Sequence, residues 1–415
     1  MSAADKFKKL IASLPKLENY TSIFETKFVS RRILTANAEI VRNIESSGEY
    51  VRAAMARRTT TQAGARDSTV SHNDDKAKIT RALLKPHFNT KVFNKVIKDS
   101  TLFLTRKLND HCSNTSGSSP IDICKPIHEG LYVSMMINFL GIELELEDWK
   151  EFNRLYSTQR DDDTSFTKLL FLNLVPWIPL FIKDFLLSGN YRKVKHWEKI
   201  AKFLYQKGKP IPGSLADDLR HAEAAGTITH NDVLGEYHAV VIGSNTLMVS
   251  LMWSLYLLSH EKVATEKIIG NPKYARLAYL ESMRLLPPFY ILNYDKKKSK
   301  CPFHFDKPET IHISVIHLQR IPEYWGDDAE MFKPERFETG LSNLVKGSYV
   351  PFGIGERVCP GIAMSMKVGP ALLQYLINNY EFKLFQEPVI KKRLHLTTQD
   401  HQMLFNITKK QSVTQ

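Results

Sequence analysis

Cysteine is scarce in this chain: Cys112, Cys124, Cys301 and Cys359 are the only four in 415 residues, and they are scattered. Disulfide scaffolds and structural zinc modules need clustered cysteines, so neither is supported, and a reducing compartment is expected. Long apolar runs are missing too. The longest, Leu169 to Ile182, contains Pro176 and Pro179 and falls short of the roughly 20 residues that span a bilayer. The lysine-bearing stretch Met1 to Leu14 has only a short apolar piece from Leu10, too brief for a signal peptide. The expectation is a soluble, cytoplasmic protein with at most peripheral membrane contact. Neither an internal repeat nor a Gly/Ser/Pro-rich linker divides the chain, so one large domain over residues 1–415, acting as a monomer, is expected. Acidic residues are outnumbered, 44 against 57 basic, for a net charge of +13. That excess favours an acidic partner. No nucleic-acid recognition module is present, so nucleic acid is not the expected one.

What is present is material for a helical core, with 43% hydrophobic and 24% charged residues. Helical periodicity starts at Ala38 to Ile44, resumes through Ile79, Leu83 and Leu84, and dominates to about Arg284. Strand-like pieces are Arg32 to Thr35 and Ile311 to Ile316, and the polar segment Thr59 to Asn73 reads as a long loop. The fold class is mainly α with a small β region. A capping-box pattern, Thr229-His230-Asn231-Asp232, opens a long apolar helix reaching Ser259. The Lys296-Lys297-Lys298 run reads as a solvated loop.

The most informative segment is Phe352-Gly353-Ile354-Gly355-Glu356-Arg357-Val358-Cys359-Pro360-Gly361, a glycine-rich loop before an apolar helical run. Such a loop presents a thiolate to a haem iron, and the positive end of the next helix stabilises the negative sulfur. Gly353, Gly355 and Gly361 allow tight or left-handed backbone. Arg357 is placed to reach a haem propionate. A dinucleotide fingerprint fails because Val358 stands where a third glycine is required. Zinc lacks a second nearby cysteine, and a buried structural cysteine remains an alternative on the loop alone.

This segment resembles the haem-binding signature of the cytochrome P-450 superfamily, Phe-Gly-x-Gly-x-Arg-x-Cys-x-Gly, at every defining position. Two further motifs stand upstream in the family's order: Glu281-Ser282-Met283-Arg284, followed by Pro287-Pro288, and Pro334-Glu335-Arg336-Phe337. The resemblance implies a single-domain cytochrome P-450 fold of the soluble bacterial type, haem b ligated by Cys359, and a buried network of Glu281, Arg284 and Arg336. It implies that Thr246, in Ile242-Gly243-Ser244-Asn245-Thr246, serves oxygen binding and proton relay, with Asn245 where the family carries an acid. Arg81 falls at a propionate-binding position, whereas Ala77 and Tyr294 replace a Trp or His and an arginine there. Ile242, Phe289, Ile291 and Leu292 are expected to line the substrate pocket, with the Thr59–Asn73 loop as roof and the Leu169–Ile182 region as lid. The implied activity is a monooxygenase. It would insert one atom of O2 into a small lipophilic substrate, with electrons from an acidic ferredoxin or flavodoxin. An amide cannot exchange protons as a carboxyl does, so Asn245 keeps open a haem-thiolate isomerase, dehydratase or peroxygenase that needs no electron partner. A non-enzymatic haem sensor would leave Thr246, roof and lid without purpose.

Overall fold

The computed structural model describes residues 21–26, 30–52, 68–70, 75–115, 119–157, 188–296, 309–388, 390–393, 396–399 and 403–411. Cys301, Lys297, Lys298, the Leu169–Ile182 run, the Met1–Leu14 stretch and most of the Thr59–Asn73 loop lie outside them. The chain is mainly helical with a small β region, as its patterning implies.

The fold separates into two compact units. One comprises Met1–Ala53, Ile97–Gly130 and Thr246–Gln415, the other Ala54–Val96 and Leu131–Asn245. The units interleave along the chain. Three of the passages between them fall inside helices, namely Thr90–Thr115, Cys124–Met135 and His230–Ser259, so no shift in composition marks them.

The first unit carries a five-stranded sheet built from β1 (Thr21–Thr26), β2 (Ser30–Thr35), β3 (Tyr50–Arg52), β4 (Ile291–Lys296) and β5 (Glu309–Ser314), in the order β1-β2-β5-β4-β3. β2 runs parallel to β5, and the other pairings are antiparallel. Helix α1 (Ala38–Ser47) begins where Asn37 accepts the Glu39 and Ile40 N–H groups and ends at Gly48, whose φ of 63° suits glycine. Its Ala38, Val41 and Ile44 share one face and pack into a cluster with Tyr294, Ile311, Ile313 and Ile354. The expected strand near Ile311 ends at Ser314, after which Val315–Leu318 is a helical turn.

Four more helices position candidate site residues. α2 (Asp75–Leu84) belongs to the second unit, and α3 (His230–Ser259) runs from the second into the first. α3 is apolar on all sides, as a buried helix is, and is the one described helix long and apolar enough to cross a membrane; most of that stretch is buried. Its N-terminus is the expected capping box: Asp232 accepts the Thr229 N–H at 2.7 Å and Thr229 Oγ1 accepts the Asp232 N–H at 3.3 Å. α4 (Pro272–Leu285) starts on the Asn271 cap and stops before Pro287-Pro288. α5 (Ile362–Asn379) follows the cysteine loop.

Candidate active site

The cysteine loop is held by its own backbone and by two side chains from outside it. Gly353 and Gly355 have φ of 79° and 63°, in the left-handed region that other residues rarely adopt. Gly361 does not: its φ of −84° makes it simply the residue capping α5, so the left-handed reading does not extend to it. The Cys359 N–H donates to the Phe352 carbonyl at 2.9 Å, and Val358 N–H to Gly355 at 3.0 Å, closing the turn. Tyr294 Oη accepts the Ile354 N–H at 3.2 Å, and Gln319 Oε1 accepts the Val350 N–H at 3.0 Å. Cys359 itself is exposed, whereas Cys124 is buried. A structural cysteine would be inside; this one is offered outward at the mouth of α5.

Glu281 and Arg284 are both fully buried on α4, forming a two-pronged pair with Nε–Oε2 and Nη2–Oε1 distances of 2.7 Å each. Arg284 Nη1 also donates to the carbonyls of Gln319 at 2.8 Å and Ala329 at 2.6 Å. Glu281 Oε1 accepts the Lys333 N–H at 2.8 Å and Arg336 Nε at 3.3 Å. All three residues expected to form a network therefore do so. Two members were not legible in the motifs. Asp328 binds Arg336, which holds its carboxyl below the ordinary value, and Gln319 donates to the Met283 and Arg284 carbonyls at 3.0 and 2.9 Å. Because Gln319 also grips Val350, two residues before the cysteine loop, one side chain joins the buried charge network to the stretch leading into that loop.

Thr246 is half-buried, and its carbonyl accepts Ser250 Oγ at 3.0 Å, one turn along α3. Ser250 neighbours Tyr279 of α4, whose hydroxyl lies 3.0 Å from Ser365 Oγ on α5. Burial raises the Tyr279 hydroxyl to about 12, so it stays protonated. A side chain at Gly369 would come within 2.4 Å of the Tyr279 ring, which is why α5 carries glycine there. The first unit thus links the threonine turn, α4 and the first turn of the cysteine helix.

Phe289 and Ile291 are half-buried. Leu292 packs against the cluster of α1 and the sheet, and consecutive strand residues point to opposite faces. Ile291 and Leu292 therefore cannot both line one pocket, and Leu292 is assigned to the core. Tyr294, which stands where the family carries a propionate-binding arginine, is buried, and its hydroxyl accepts the Ile354 N–H of the loop.

The second unit holds Arg81, Ile242 and Asn245, all half-buried. Ala77 is buried on α2. Sequence reasoning passed over Glu236, a buried carboxyl on α3 that accepts the Thr69 N–H. Its only signal was an acid inside an otherwise apolar helical run.

The donor set fits a haem: an outward thiol on a preformed glycine turn before a helix N-terminus, with Arg357 two residues away. A family model described as Cytochrome P450 matches residues 6–412. Among relatives, cytochrome P450 CYP13A4 of Caenorhabditis elegans is 28% identical over 40% of this chain and 36% of its own length. Cytochrome P450 716A67 of Medicago truncatula is 26% identical over 73% of this chain and 62% of its own. The 11-oxo-beta-amyrin 30-oxidase of Medicago truncatula is 30% identical over 40% and 37%. In each case the match spans less than two thirds of the relative. These relatives are worm and plant proteins, and they do not support the expected bacterial type.

Proposed function

The chain belongs to the cytochrome P450 family, whose members hold haem through a cysteine thiolate, and we propose that it is a monooxygenase acting on a small lipophilic substrate. The observation that carries the reading is the exposed Cys359 on a loop fixed by Tyr294 and Gln319. Haem bound there supplies the oxygen activation, and the protein supplies ligation, orientation and proton handling. Arg357 and Arg81 hold propionate carboxylates by charge-assisted bonds. The Thr246 hydroxyl orders water and hands protons on, while the Asn245 amide orients that water without exchanging a proton. Ile242, Phe289 and Ile291 exclude bulk water and orient an apolar substrate. A relative named as an oxidase of 11-oxo-beta-amyrin supports a lipophilic substrate class. The net charge of +13 supports an acidic one-electron donor of ferredoxin or flavodoxin type. We place the protein in the cytoplasm as a single-domain monomer.

A second reading, an isomerase, dehydratase or peroxygenase, is favoured by Asn245 standing where the family carries an acid. Oxygen dependence separates the two. With a ferredoxin system and a ligand that displaces iron-bound water, the monooxygenase makes product only with O2. Thr246→Ala then diverts reductant to peroxide. Product formed without O2 defeats the preferred reading. Cys359→Ser is expected to abolish the thiolate-type band of the ferrous carbon monoxide complex, and persistence of that band defeats the ligand assignment under either reading.

A further inference from the structure

Gln319 follows the helical turn Val315–Leu318, and none of its surface is exposed. Its Nε2 donates to the Met283 carbonyl at 3.0 Å and to the Arg284 carbonyl at 2.9 Å. Those carbonyls belong to the last turn of α4, where an uninterrupted helix would bond them to the N–H groups of residues 287 and 288, four positions on. Both of those residues are proline and have no N–H to give. The final bond along the helix backbone runs from the Leu286 N–H to Ser282 at 2.7 Å. Two hydrogens of one side-chain amide therefore replace the two that Pro287 and Pro288 lack.

The amide oxygen faces the other way. Gln319 Oε1 accepts the Val350 N–H at 3.0 Å, and the carbonyl of Val350, itself a buried residue, accepts the Gly353 N–H at 3.1 Å. From there the turn closes at Phe352, whose carbonyl takes the Cys359 N–H. The Gln319 backbone is held as well, its N–H donating to the Val315 carbonyl at 3.0 Å and its carbonyl accepting Arg284 Nη1 at 2.8 Å. Two donors and an acceptor on one planar group at this reach require glutamine. Glutamate has no donor when ionised, and a flipped amide would set its oxygen against two carbonyls, so the network fixes one orientation.

We propose that Gln319 is a positioning residue for the iron–sulfur bond: it ties the stretch leading into the cysteine turn to the proline-stopped end of α4, and this tie sets the stance of Cys359 toward haem. The inference holds for either reaction proposed above and rests only on haem ligation by Cys359. How strongly a thiolate donates to iron is tuned by the hydrogen bonds and burial around the sulfur, so a change in the turn registers at the iron.

The test compares the haem-loaded wild type with Gln319→Glu and Gln319→Asn. Three signals are read: the thiolate-type band of the ferrous carbon monoxide complex, the iron–sulfur stretch by resonance Raman, and hydrogen exchange of the Val350 amide. In Gln319→Glu the protonated acid keeps one donor and one acceptor, whereas the ionised form turns negative oxygens on the two carbonyls of α4. The share of thiolate-type band therefore falls about threefold between pH 6 and 9 in that variant, with Val350 protection falling alongside, while both stay flat in the wild type. Gln319→Asn keeps the amide but is one carbon too short to span α4 and Val350 together. Its iron–sulfur stretch shifts at every pH. An unshifted stretch in Gln319→Asn overturns the proposal, whether or not Val350 protection is lost, and so does a pH-independent band in folded Gln319→Glu. Failure of both variants to fold overturns it as well, because the tie would then be purely structural. Absence of the thiolate-type band in the wild type defeats the haem reading instead, whereas Val350 exchange still decides whether Gln319 holds the stretch.

Discussion

Glu281 and Glu236 are both buried carboxyls on helices, one in each unit, and their surroundings differ in kind. Glu281 is met by Arg284 through both oxygens, by the Lys333 N–H and by Arg336. Among the described residues, Glu236 is met by the Thr69 N–H and keeps one oxygen unpartnered. A carboxylate surrounded by donors is fixed in geometry, and it serves as a permanent tie between α4 and the turns carrying Arg336 and Gln319. A carboxyl with a single donor is poised between two charge states. The first kind of burial builds a scaffold for the cysteine loop; the second is costly as scaffold and retains the freedom to respond to pH.

The largest effect that sharpens the contrast is expected from Arg284→Ala. It leaves Glu281 buried without its two-pronged partner, a loss of roughly 3–5 kcal/mol. Urea unfolding and haem content of the purified variant measure it, and an unchanged midpoint with full haem loading would mean that Glu281 is no better tied than Glu236. Next comes the pH dependence of Glu236. An acid whose folded value lies above its unfolded one holds more protons when folded, so stability falls as pH rises between about 4.5 and about 7 and levels off above. The span corresponds to a contribution on the order of 3 kcal/mol. Glu236→Gln is expected to remove that slope, and unfolding midpoints from pH 4.5 to 8 would show an unaltered slope if the titrating group lies elsewhere. The smallest effect is expected from Tyr294→Phe, which strands the buried Ile354 N–H at a cost of about 1–3 kcal/mol. Because the remaining loop bonds persist, most of the thiolate-type carbon monoxide band should survive. Its complete loss would show that the loop depends on Tyr294 alone.

Chain order alone made the scaffold half of this contrast readable. The cysteine loop, the Glu281/Arg284 spacing and the Pro334–Phe337 turn are local patterns, each dictated by backbone conformation or helix periodicity, and they were assembled as expected. Partners contributed by irregular segments were not readable. Gln319 and Asp328 sit in no motif, and their roles come from bonds to groups 8 to 36 residues away. Leu292 and Ile291 show the same limit in a strand, since alternation tells that they face opposite ways but not which face meets the core.

By itself, the sequence determined the helical class, the glycine turn that carries Cys359, the capping of α3 at Thr229 and the residues of the buried ion network, because local periodicity, turn-forming residues and short charge spacings act over a few residues. Only the tertiary structure decided that the passages between units run through helices, that Tyr294 serves the cysteine loop, and that Glu236 lies in a water-excluded place where its charge becomes sensitive to pH. Those outcomes depend on which distant segments exclude water from one another, and that is a property of packing.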